Sequence, residues 1–206
     1  MIAKKNIVLL LSLVLVAGCR QKNVKLFPSL KQAKTYQETR DNLSVTVKEF
    51  SHKETIDYFG VDLQSHGYQP LQVVMRNMSN NTFIIRPSYI TVPLVSGKRI
   101  AQWMHYDTYS YVMWSSLPAL FFWWPAVPCI IAPAGLGMRE YNRKITKNLK
   151  YRSLNNKDGL EILPYETITK FMFVYASYYH APFDISFLNK DTQELQTFFV
   201  NLKKPL

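Results

Sequence analysis

Cysteine, histidine and glycine are scarce in this chain, and each shortage closes off a chemistry. There are two cysteines in 206 residues, four histidines and seven glycines. The glycines form no phosphate-cradling loop and no dinucleotide-binding turn; Gly135 and Gly137 give only a GxG inside an apolar run. No nucleophile elbow is present. His52, His66, His105 and His180 are too scattered for a close metal-ligand spacing, so neither a metal site nor a cofactor is expected. Acidic residues are also few, 14 against 25 lysines and arginines, which leaves a formal charge of +11. A chain this basic is drawn to polyanions or anionic lipid surfaces, and it carries no nucleic-acid-binding motif.

The clearest positive signal lies at the start. Lys4 and Lys5 precede an uncharged run from Ile7 to Val16, interrupted only by Ser12. That run is too short for a comfortable membrane span but has the length of a signal-peptide core. Val16, Ala17, Gly18 and Cys19 come next, and this stretch resembles the lipobox of bacterial lipoproteins. The resemblance covers residues 1–19. It implies cleavage between Gly18 and Cys19 and acylation of the Cys19 sulfur, with palmitate-type chains holding the protein on the cell envelope. One chain gives only marginal anchoring, whereas two give a stable anchor. Arg20 stands where inner-membrane retention typically uses Asp, so in a cell with two membranes the periplasmic face of the outer membrane is expected. Nucleic acid is then excluded as a partner by location. With Cys19 acylated, Cys129 is the one remaining thiol and no internal disulfide is available; in its apolar surroundings that thiol is expected to be protonated and inert.

The 187 residues after Cys19 are enough for one sizeable domain. Removing Lys4 and Lys5 lowers the charge from +11 to +9, so the exported part stays basic. Residues 1–18 are read as the leader and 19–42 as a lipidated tether, rich in Lys22, Lys25, Lys31, Lys34 and Arg40, with at most a short helix near Leu30 to Glu38. The folded domain is expected over 43–206. Leu43, Val45 and Val47 alternate with Ser44, Thr46 and Lys48, the pattern of a half-buried strand. Further strands are expected at Leu71 to Met75, Phe83 to Ile85, Tyr89 to Val95, Leu160 to Leu163, Thr167 to Tyr175, Phe183 to Phe187 and Thr197 to Leu202. A helical turn is expected within His52 to Gly60, and Ser96 to Lys98 reads as another turn. Seven or eight short strands at this spacing resemble an immunoglobulin-like antiparallel β-sandwich in architecture, without the cysteine pair and tryptophan of antibody domains, so the resemblance implies no function.

An apolar excursion interrupts the β pattern at about 100–152. From Thr108 to Met138 no residue carries a formal charge, and Trp114, Phe121, Phe122, Trp123, Trp124, Ile130 and Ile131 crowd the run. Pro118, Pro125, Pro128 and Pro133 argue against one unbroken helix across it. The pattern predicts a helical hairpin bending at Trp124 to Pro128, with Ser115 to Trp123 and Ile130 to Gly137 as its arms. A basic amphipathic segment comes next: Met138, Tyr141, Ile145 and Leu149 share a face, and Arg139, Arg143, Lys147 and Lys150 point elsewhere, available to anionic lipid or polymer. Three roles are open for residues 108–138: entry into the membrane, binding an envelope subunit or a second copy, or covering the sandwich core.

The preferred expectation is therefore a non-enzymatic, lipid-anchored envelope lipoprotein, with a role as accessory of a larger assembly left open. The alternative is an exported enzyme or small-ligand-binding protein with its site between sandwich loops and hairpin, where His52, His66, Asp57 or Asp62 would converge in a polar cavity, with Glu54 as a further carboxylate.

Overall fold

The computed structural model describes residues 35–105, 127–154, 159–179 and 182–202. The leader, Cys19 and residues 106–126, which include Trp114, Phe121, Phe122, Trp123 and Trp124, lie outside the described residues, as do the side chains of 127–135 and with them Ile130 and Ile131. The chain forms two compact units, residues 1–24 with 106–141, and residues 25–105 with 142–206. In the first, the described part is a stretch of helix; the second holds all the described strands.

Among the described residues eight strands make two four-stranded sheets. One sheet runs β1 (Thr35–Arg40), β2 (Leu43–Glu49), β3 (Tyr68–Asn77), β6 (Thr167–Tyr175); the other runs β5 (Leu160–Ile162), β4 (Phe83–Ile85), β7 (Phe183–Asn189), β8 (Leu195–Val200). All strand pairings within the sheets are antiparallel. Leu43, Val45, Val47, Leu71, Val73, Met75, Met172 and Val174 of the first sheet share one core with Phe83, Ile85, Phe183, Ile185, Phe187 and Phe198 of the second. The expected mainly β class is therefore observed, and the shared core fits a β-sandwich.

Alternation located most strands, and the deviations have local causes. Thr35–Arg40 is a strand rather than tether or helix: it pairs with β2 through a tight turn at Asp41 and Asn42, whose φ of 43° and 63° place both in the left-handed region. Asn and Asp tolerate that region better than other non-glycine residues. Tyr89 to Val95 is not a continuous strand. A 3-10 turn, Pro87–Tyr89, leads into it, and the later residues make only isolated bridges, from Ile90 to Ile185 and from Leu94 to Val174. Ser96 to Lys98 is not merely a turn, because Ser96 caps the helix α2 (Gly97–Met104), its hydroxyl accepting from the Arg99 amide.

The alternation of β2 predicts burial on one face, yet Thr46 and Lys48 are buried along with Val45 and Val47. The reason is a second apolar layer on the outer face of this sheet. Helix α1 (His52–Phe59) starts at a capping box in which Ser51 and Glu54 bond each other's backbone amides. It brings Tyr58 and Phe59 onto Phe50, Phe171 and Phe173, with ring centroids 5.3 to 6.3 Å apart. Lys48 lies under this cover at 1% side-chain exposure, and its Nζ donates to Glu54 Oε1 at 2.7 Å. Burial pushes the Glu54 carboxyl up, but the bonds from Lys48 and from Ser51 outweigh it and hold the group below its ordinary value.

That depression has a sign. A carboxylate with a lower pKa folded than unfolded stabilises the fold above its unfolded pKa, and the contribution disappears as pH falls through the folded value. Urea unfolding should therefore show a lower midpoint at pH about 3 than at pH about 6. The drop should shrink when Lys48 and Glu54 are replaced together by Met and Gln.

Candidate functional site

The directions of the strands sort the connections onto two ends of the sheets. The β1–β2, β3–β4, β5–β6 and β7–β8 links are short and occupy one end. Thr35, α1, the long β4–β5 connection and the β6–β7 link occupy the other. The apolar excursion belongs to that β4–β5 connection, so the point where the N-terminal segment enters and the root of the excursion share an end.

The root is built on β6. Val95 N donates to Phe173 O at 2.7 Å on the way out, and Leu154 N donates to Phe171 O at 2.8 Å on the way back. Ser153 also forms a parallel bridge with Phe171. These contacts occupy the free edge of β6, which would otherwise present unpaired backbone groups. Between them stand α2 and the later part of α3 (Val127–Arg152). Ile100 and Ala101 of α2 and Ile145 and Leu149 of α3 are buried. Glycine is required at position 97, because a Cβ there would lie 2.6 Å from the Leu149 carbonyl oxygen and 2.9 Å from Ser153 Oγ. Gly97→Ala should therefore cost about 1 to 3 kcal/mol by forcing the helix backbones apart, readable as a lower urea midpoint at unchanged slope.

Polar and aromatic contacts fix the far end of α2. His105 Nε2 lies 2.9 Å from Thr146 Oγ1, while in the first turn of the helix Arg99 Nη1 donates to the Tyr175 hydroxyl at 2.9 Å. Trp103 stacks on His66 at 4.2 Å with an interplanar angle of 16°, although 46% of Trp103 stays exposed. Because His66 precedes β3, this contact marks the end of the sheets at which Thr35 enters.

α3 joins two segments that the sequence separates. The expected second hairpin arm, Ile130 to Gly137, and the basic amphipathic stretch are one helix of 26 residues. Pro128 falls in the first turn, where a missing N–H does no harm. As expected from their spacing, Ile145 and Leu149 are buried and Arg139, Arg143, Lys147 and Lys150 are exposed, together with Lys144; Met138 and Tyr141 are half-buried. The buried half of this face packs within the protein, so the cations are its outward chemistry. Among the described residues no helix is long and apolar enough to cross a membrane.

The residues of the enzymatic alternative are not gathered into a cavity. His52 Nδ1 approaches Asp62 Oδ2 at 3.1 Å, but His52 is 70% exposed. Asp62 also accepts from the amides of Gln64 and Ser65, as a turn-forming aspartate does. His66 is engaged with Trp103, Asp57 is exposed on α1, and Glu54 holds Lys48. His180 lies outside the described residues. A shallow, open depression is lined by Leu160, Glu161, Leu163, Glu166, Ile168 and Lys170, none of them among these candidates. Among the described residues there is no group of three or more His, Cys, Asp or Glu side chains suited to a metal ion. No protein-family model, curated protein or solved structure matches the chain.

Proposed function

We propose that this protein is a non-enzymatic bacterial envelope lipoprotein, acylated at Cys19 after cleavage behind Gly18, whose β4–β5 insertion contacts the membrane or an envelope subunit. The observation that carries the reading is the shared end of Thr35 and the insertion root: a tether attached at Cys19 enters the domain on the side that also supports the apolar segment. Residues 20–34 span at most about 50 Å fully extended, which keeps that side within reach of the anchoring membrane. Cys19 alone suffices for attachment, so a second apolar element serves orientation or assembly.

The domain fits an immunoglobulin-like sandwich with one added strand. Setting β1 aside leaves β2-β3-β6 against β5-β4-β7-β8. Neighbouring β3 and β6 interlock with neighbouring β4 and β7, the Greek-key crossing of such domains. The connection that carries the apolar segment then leaves and rejoins the second sheet between its central strand β4 and its edge strand β5. Outer-membrane placement rests on Arg20.

The test combines Cys19→Ala with deletion of 108–138. Each change alone should leave envelope association, and the pair should abolish what remains once high salt screens the basic face of the domain. Association that persists unchanged when both are present would defeat the reading.

A further inference from the structure

We infer that the exposed face of α3 docks on the anionic headgroups of the same leaflet that holds the tether. This rests on the lipoprotein reading and names the partner for one surface. Two observations carry it. First, Arg143, Lys147 and Lys150 succeed one another at i, i+4 and i+7 with Lys144 beside them, all exposed and opposite the buried Ile145 and Leu149. A cationic stripe backed by a packed helix presents its charges to a flat anionic surface without unfolding anything. Second, the stripe lies along the route to the tethered end. Ser153 sits opposite Phe171 in the middle of β6, and one helix segment earlier Thr146 meets His105, just beyond the Trp103 that stacks on His66. From Lys150 to Arg143, α3 thus runs toward the end where Thr35 enters, and the fifteen residues between Cys19 and Thr35 are the whole of the leash. The half-exposed Trp103 adds an amphipathic ring at that end, of the kind that sits at headgroup depth.

The opposite end supplies an internal reference. Lys190 stands in the β7–β8 turn, half exposed and 3.2 Å from Glu161. In this orientation it faces away from the leaflet.

The full chain, reconstituted in phosphatidylglycerol-containing vesicles and in phosphatidylcholine vesicles, would be labelled with a membrane-impermeant amine reagent and read by peptide mass. Lys144, Lys147 and Lys150 should react about threefold or more slowly on the anionic vesicles, high salt should restore their reactivity, and Lys190 should react equally on both. Equal reactivity of the three lysines on both vesicles, or matching protection of Lys190, would overturn the inference. A second arm uses the Cys19→Ala chain added to the same vesicles, with and without Lys144→Glu, Lys147→Glu and Lys150→Glu. The triple reversal should weaken binding to anionic vesicles at least about tenfold, and unchanged binding would count against docking. Absence of acyl chains from Cys19 would overturn the lipoprotein reading instead, and this arm would still decide the α3 surface.

Discussion

Phe171→Ala is expected to remove about 4 kcal/mol of folding stability, measured as a urea or thermal shift against the unaltered chain. Phe171 is fully buried, and its ring meets those of Phe50, Tyr58, Phe59 and Phe173. Truncation removes apolar contacts and opens a cavity that rings held separately by α1, by β6 and by Phe50 between β2 and α1 cannot close together. The same residue's carbonyl receives the Leu154 amide where the insertion returns to the sheet. A cavity beneath it should therefore loosen the insertion root as well, seen as faster amide exchange at Leu154. Phe199 is a fair control, since it is 55% exposed on β8 and Phe199→Ser should change stability by less than about 0.5 kcal/mol.

Glu54→Gln should cost about 3 kcal/mol, nearly as much, for an electrostatic reason. The substitution keeps size and shape and removes the charge that faces the Lys48 ammonium at 2.7 Å. Lys48 is almost without solvent contact, so its charge loses its nearest compensation in a place where water cannot replace it. Adding Lys48→Met removes the buried charge and presents an apolar chain to Phe50 and the aromatic layer. The double substitution should recover most of the loss, and the resulting coupling of more than about 1 kcal/mol would identify the pair as an interacting unit. Additive losses would show that Lys48 draws its stabilisation from elsewhere.

These two sites also mark where the sequence stops being legible. Phe183, Ile185 and Phe187 alternate with polar residues and form a strand with that face inward, because a period of two is set locally by the pleat. Ile145 and Leu149 are readable for the same kind of reason at helical spacing. Lys48 is not: its polarity places it outside, and only the folding back of α1 together with Phe171 and Phe173 from a distant part of the chain buries it. β1 escapes a pattern-based reading because Tyr36 to Arg40 carries no run of apolar residues; its pairing depends on the Asp41–Asn42 turn, a cue that two adjacent turn-forming residues do offer. α2 is hidden by Gly97, which reads as a helix breaker but is there for the close approach of Leu149. His52 and Asp62 do come close, yet sequence could not show that they meet in solvent.

The insertion root and the entry of the N-terminal segment share one end, a property of strand order that no local pattern contains. The functional account rests on joining that end to a lipid. The mass of the mature N-terminal peptide tests this most directly. The account predicts a chain that begins at Cys19 and carries diacylglycerol on its sulfur, and a chain that retains Met1, or one with an unmodified Cys19 thiol, would contradict it.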